Sequence, residues 1–260
     1  MSRIAGAFKN KKAFIAFIAG GDPDIETTEK LIIEMAEAGV DLIEIGVPFS
    51  DPVAEGPVIQ EADERALLAG CTVVRLFDMI KRVRSKVEIP LLFMSYMNPI
   101  FVYGKEKFMQ KCAECGLDGV IVPDLPFEEK GELSGVCEKY NIALISLIAP
   151  TSGERIETIA KESEGFIYCV SSPGVTGVRD EINTNITEMI ERVRSVSDTP
   201  CAIGFGISTP EQARIMADIS DGVIIGSAIV QIIAEYGRNC IEPVKKYISD
   251  IKEVLMLLSI

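Results

Sequence analysis

The residues best placed to do chemistry in this chain are carboxylates. Glu44 interrupts an otherwise aliphatic run, DLIEIGV (41–47). Side chains alternate along a strand, so Ile43, Ile45 and Val47 share one face, and Leu42, Glu44 and Gly46 share the other. The aliphatic face is expected to meet helices, which leaves Glu44 pointing inward. A lone carboxylate there is costly, and desolvation raises its pKa towards neutrality, where it serves as a general acid or base. A buried ion pair with a Lys or Arg from elsewhere is the structural alternative. The loop that follows, GVPFSDPVAEGPVIQ (46–60), carries two more carboxylates, Asp51 and Glu55. Its three prolines and Gly56 give it a stiff shape. The chain has no histidine, which excludes Ser-His-Asp and Cys-His nucleophile systems and His-ligated zinc. Acid–base work near neutral pH therefore falls to carboxylates, Lys, Tyr or Cys.

These carboxylates need a scaffold, and the hydropathy pattern supplies one. Short apolar runs recur at FIAFIAG (14–20), DLIEIGV (41–47), PLLFMSY (90–96), GVIVPD (119–124), ALISLIA (143–149), FIYCVSS (166–172), CAIGFGI (201–207) and GVIIGSA (222–228). Amphipathic stretches lie between them, among them IETTEKLIIEMAEAG, VRLFDMIKRVRSKV, KEKFMQKCAECG, ERIETIAKES, ITEMIERVRSVS and EQARIMADIS. Nearly continuous apolar strands separated by helices mean buried parallel pairing. Eight such repeats predict an α/β fold, a (β/α)8 TIM barrel occupying 1–260 as one domain. The interval between the second and third strands is the longest and holds an additional helix-like stretch, PVIQEADERALLAG. A doubly wound sheet is the alternative, but no glycine-rich fingerprint follows the first strand.

Composition narrows the function further. With 260 residues and a net charge of −13, the chain lacks the basic surface on which nucleic-acid binding depends. No apolar run approaches the roughly 20 residues that span a membrane. Lys9, Lys11 and Lys12 before AFIAFIAGG (13–21) imitate a signal peptide, yet the barrel needs this run as its first strand. Seven scattered cysteines predict a reduced, cytoplasmic protein. Cys112 and Cys115 form an isolated CxxC, expected to be two small packing residues on one helix face.

The run LIEIGVPFSDPVAEGPVIQ, followed by ADERAL, resembles the signature of the tryptophan synthase alpha chain family. The likeness continues through GGDPD, SYMNPIFVYG (95–104), VPDLP (122–126), SSPGVTGVR (171–179), GFGIS (204–208) and IIGSAIV (224–230). It implies retro-aldol cleavage of indole-3-glycerol phosphate to indole and glyceraldehyde 3-phosphate. It implies no cofactor in this chain, and a tryptophan synthase beta chain as partner, with pyridoxal phosphate in the beta chain and an α2β2 assembly. Matched residue by residue, the family's essential glutamate falls on Glu44, and the carboxylate facing the indole nitrogen falls on Glu55. The family usually has aspartate at the second position. Glutamate moves the charge by about 1.5 Å, and a displacement near ~1 Å can cost ~10²-fold in rate.

The same resemblance places Phe17, Ile59, Tyr96, Tyr168 and Phe205 around the indole. It makes Thr176 the lid residue that meets the second-strand loop and adds Gly177 to the phosphate site. Asp51 and Pro48 are the expected partner contacts. In barrels of this kind the late loops and a helix N-terminus hold phosphate, so backbone N–H groups of Gly206, Gly226 and Ser227 are expected to bind the dianion without a cation. The departure at Glu55 leaves two other functions open: an alpha-like subunit that mainly activates a beta chain, and a free-standing indole-3-glycerol phosphate lyase. Another phosphate-binding barrel, such as a phosphosugar isomerase, fits the second-strand signature poorly.

Overall fold

The computed structural model of this chain describes residues 2–171, 179–204 and 206–258. Its centre is a closed barrel in which the strands pair in parallel and in chain order. They are β1 (Ala13–Ala19), β2 (Leu42–Gly46), β3 (Leu91–Met94), β4 (Gly119–Ile121), β5 (Ala143–Ile148), β6 (Ile167–Val170), β7 (Cys201–Gly204) and β8 (Gly222–Ile225). All eight predicted runs contain a strand, so the chain is a (β/α)8 TIM barrel. Most strands stop short of the predicted C-terminal end. β3 ends at Met94 although the apolar run continues to Tyr96, because there the backbone leaves the barrel to build the loops over its mouth.

The helices are α1 (Arg3–Ala7), α2 (Ile25–Glu37), α3 (Pro57–Leu68), α4 (Val73–Arg84), α5 (Met97–Tyr103), α6 (Lys105–Cys115), α7 (Gly131–Tyr140), α8 (Ile156–Lys161), α9 (Arg179–Arg194), α10 (Pro210–Ile219), α11 (Ser227–Tyr236) and α12 (Ile241–Met256). Two of them, α3 and α4, fill the long connection between β2 and β3, as the sequence predicts. Helix α3 begins at Pro57, whose missing N–H costs nothing in the first turn. Helix α2 begins where Asp24 accepts a 2.7 Å hydrogen bond from the Thr27 amide. Five helices lie outside the amphipathic stretches named above: α1, α5, α7, α11 and α12. Pro99 stands in the first turn of the short α5, and Gly131 and Gly135 dilute α7.

Strand alternation divides the core in two. Ile43, Ile45 and Val47 belong to the large cluster that joins the outside of the barrel to residues such as Leu31, Met35, Leu76 and Ile80 on the surrounding helices. Fully burying each such side chain stabilises the fold by about 1.5–3 kcal/mol. The second cluster fills the lumen with Ile15, Leu42, Leu92, Ile121, Ile145 and Tyr168. Ile4 and Ala7 of α1 belong to this inner cluster, and the Phe8 ring lies 5.6 Å from that of Phe166. Helix α1 thus closes the N-terminal end of the barrel. Cys112 and Cys115 are buried packing residues on α6, and all seven cysteines carry free thiols. Among the described residues, no helix is long and apolar enough to cross a membrane.

Candidate active site

Glu44 sits at the middle of β2, paired in register with Phe17 on β1 and Leu92 on β3. Its neighbours Ile43 and Ile45 take the outer face, so the alternation of a single strand is enough to drive its carboxylate into the lumen. The residue is 0% exposed. Among the described residues, neither carboxylate oxygen has a hydrogen-bond partner. The ion pair that would have been its structural alternative does not form among them. Burial alone pushes its pKa up to about 8, so it is protonated at neutral pH and can give that proton away. Its proximity adds to burial in holding the Tyr168 phenol well above the usual tyrosine range.

Glu55 is positioned differently. It lies in the loop between β2 and α3, just before the Gly56 cap, and is half-buried. The Gln60 side-chain amide donates to its backbone carbonyl at 2.7 Å, which ties the loop to the first turn of α3. The Tyr96 hydroxyl accepts a 3.0 Å hydrogen bond from the Ala54 amide and stands beside the Glu55 carboxylate. Burial raises the Glu55 pKa, and the contacts with Asp63 and Tyr96 pull it back. Burial pushes the Tyr96 phenol up to about 12, so it stays a donor.

The structure describes four of the five residues expected to wall the indole. Phe17 and Ile59 meet in one buried cluster with Ala19, Ala62 and Val230. Phe17 is wedged between two glycines. A Cβ on Gly46 would lie 2.8 Å from its ring, and one on Gly226 would lie 3.1 Å from it. Tyr96 is buried with its ring 5.5 Å from Phe49. Tyr168 lines the lumen. Phe205, Thr176 and Gly177 lie outside the described residues.

At the late strands, Gly206 has φ +75, a backbone that a side chain would strain, and no atom of the described residues lies within 4 Å of where its Cβ would stand. The loop around it is fixed from behind, because the Tyr247 hydroxyl donates to the Ser208 carbonyl at 2.9 Å. Gly226 caps α11 without a side-chain hydrogen bond, and no acidic residue occupies the first turn. The leading amides of α11, including that of exposed Ser227, have no intrahelical acceptor. With the helix dipole they suit a phosphate. A cleft of about 630 Å³ opens at the opposite end of the barrel, between Lys11, Lys12, Arg194 and Asp221. It contains none of the predicted site residues.

Two residues escaped the sequence reading. Asp63 lies on the buried face of α3, with Ile59, Ala62 and Ala66, and is 3% exposed. The signal was a charge within an apolar helical stripe. Phe49 packs on Tyr96 from the same loop, and nothing in its spacing marks it.

The sequence model of the family described as "Tryptophan synthase alpha chain" matches residues 5–256. A tryptophan synthase alpha chain from Lacticaseibacillus casei is 47% identical over 252 residues, covering 97% of this chain and 95% of that protein. The solved tryptophan synthase subunit alpha of Campylobacter jejuni superposes with a TM-score of 0.86 at 35% identity, covering 94% of this chain and 97% of that one. A solved structure from Aquifex aeolicus VF5 gives a TM-score of 0.89 at 40% identity, covering 98% of this chain and 99% of that one.

Proposed function

The chain belongs to the tryptophan synthase alpha chain family, and from that premise we propose that Glu44 and Glu55 carry the reaction at the C-terminal mouth of the barrel. The protein is a lyase of tryptophan biosynthesis that cleaves indole-3-glycerol phosphate to indole and glyceraldehyde 3-phosphate. One observation carries the assignment of Glu44: its carboxyl group is wholly buried in the lumen, and among the described residues both oxygens lack a partner. A fold tolerates such a group only when something else needs it.

The chemistry runs as a closed proton cycle. Neutral Glu44 protonates the substituted carbon of the indole ring, using the ring's enamine electron pair and leaving an iminium cation at nitrogen. The bond to the glycerol carbon then breaks, and its electron pair restores the aromatic ring. The adjacent hydroxyl loses its proton to the Glu44 carboxylate as its carbon becomes the aldehyde. Glu44 ends as it began. General acid–base steps of this kind contribute about 10²–10⁴-fold. Ionised Glu55 faces the indole nitrogen, where charge develops only in the transition state, so its attraction lowers the barrier more than it tightens binding.

Amides of Gly206, Gly226 and Ser227 hold the phosphate, joined by Gly177. Phe17, Ile59, Tyr96, Tyr168 and Phe205 wall the indole. Thr176 belongs to the lid. The whole of 1–260 acts as one barrel domain. The reaction needs no cofactor in this chain. Family membership implies a beta-chain partner. Indole passes to it within an α2β2 assembly, where pyridoxal phosphate joins it to serine, and Asp51 and Pro48 lie on the contact face. The deciding assay measures indole release from indole-3-glycerol phosphate by the purified chain, with and without beta chain. Turnover that rises on adding beta chain and vanishes in Glu44→Gln supports this function. Release that survives Glu44→Gln at the wild-type rate refutes the assignment of the acid.

A further inference from the structure

The Glu55 carboxylate does not stand alone. The carboxyl group of Asp63 on α3 lies within hydrogen-bond reach of it. Asp63 is the more buried of the two, at 3% exposed, and one Glu55 oxygen, Oε2, is shielded from solvent without a donor. Two ionised carboxylates cannot share such a space, because like charges at hydrogen-bond distance repel and both have lost their water. A single shared proton removes the conflict. Burial shows where that proton belongs. The Tyr96 phenol beside Glu55 favours the charged form there, and Asp63, the more deeply buried of the two, faces Glu55. If Asp63 carries the proton, its O–H donates to the Glu55 carboxylate, whose Oε2 otherwise has no donor among the described residues.

We propose that Asp63 is a positioning residue for the lyase reaction: it holds the shared proton and, as a neutral donor, anchors the Glu55 carboxylate where the indole nitrogen arrives. This rests on the assignment of Glu55 above and deepens it. The anchor also answers the extra methylene at position 55, because the longer side chain is drawn onto α3 and fixed. The setting supports the protonated form. Burial, the Glu55 charge and Asp22 together push Asp63 up to about 8. Asp22 is itself held by Arg65 through two 2.9 Å hydrogen bonds. The Cys71 thiol, the other titratable group that senses Asp63, is pushed up to about 12 mainly by its burial and stays neutral.

The test compares Asp63→Ala, Asp63→Asn and Glu55→Gln in steady-state indole release with beta chain present, from about pH 6 to about pH 10. A lost anchor lets Glu55 stray, so Asp63→Ala is expected to lower kcat about 10- to 100-fold with KM within about threefold. Asp63→Asn keeps an N–H donor without a titrating proton. It is expected to recover most of that loss, while the alkaline fall in kcat that ionisation of Glu44 imposes persists in each Asp63 variant. Equal damage from Ala and Asn, or none from Ala, overturns the proposal. Should Asp63→Ala fail to fold, infrared spectra of the near-isosteric Asp63→Asn decide. The wild type at neutral pH must show a protonated-carboxyl band that this variant lacks, and identical bands overturn the proposal. Glu55→Gln separates the two levels: wild-type kcat in that variant sinks the role of Glu55 itself, whereas an inactive Glu55→Gln beside an unaffected Asp63→Ala sinks only the anchor.

Discussion

Glu44 and Glu55 are the same residue type in two unlike settings. Glu44 stands on a strand, fully buried, with no hydrogen-bond partner for its carboxylate among the described residues. Glu55 stands in a loop, half-buried, with a phenol and a second carboxyl group beside it. Desolvation acts on both, but only around Glu55 do neighbours oppose it. On the proposed assignment, the barrel makes an acid of Glu44 by withholding partners and favours the anion of Glu55 by supplying neighbours that oppose its desolvation. Their chemical roles follow from surroundings rather than from side-chain type.

The strongest way to break this contrast is Glu44→Gln, which keeps shape and removes the proton. Its kcat for indole release is expected to fall by about 10³–10⁴-fold, the upper end for acid–base catalysis, with KM little changed. Glu55→Gln removes a stabilising charge rather than the transferred proton, so a smaller loss of about 10²–10³-fold is expected. Equal losses would mean that the two carboxylates act as one unit, which a double variant would show as non-additivity. Glu55→Asp shortens the side chain away from Asp63, and a loss of about 10-fold in kcat is expected. Unchanged or faster turnover would show that the loop kept the geometry of an aspartate.

On stability the sign is opposite. The folded pKa of Glu44, about 8, stands above the ordinary glutamate value of 4.5. The neutral form therefore favours the fold, and that contribution is full below about pH 4.5 and is lost as pH rises through about 8. Glu44→Gln lacks this loss. Its melting temperature is expected to match the wild type near about pH 5 and exceed it at about pH 8, by an amount corresponding to on the order of a few kcal/mol. Parallel melting curves across that range would show that Glu44 ionises in the fold as easily as in solution.

Much of this was legible in the sequence. Each strand appears as an apolar run because parallel strands are buried on both faces, and Glu44 stands out because alternation on β2 leaves it no apolar excuse. Glu55 is different. Its role came from a long, irregular motif shared with a family, since no local rule tells a loop carboxylate from a solvated one. Asp63 could have been found by setting α3 on a helical wheel, but its partner is a loop residue whose return path no periodicity encodes. Helix α12 carries Val244, Ile248, Ile251 and Leu255 at helical spacing and was also within reach. Helix α1 was not, because a helix of five residues has too little sequence to show a period.

That short helix has a consequence for the proton cycle. Ile4 and Ala7 close the floor of the lumen, and Leu42, Ile15 and Leu92 fill the space with apolar side chains. Glu44 therefore has an apolar floor beneath it, and the proposed substrate meets it from the C-terminal mouth. In the proposed cycle the hydrogen delivered to one indole is the hydrogen taken from the hydroxyl of the substrate before it. Each turnover would hand its successor a proton, and solvent isotope would enter that lineage only between visits, while the mouth stands open.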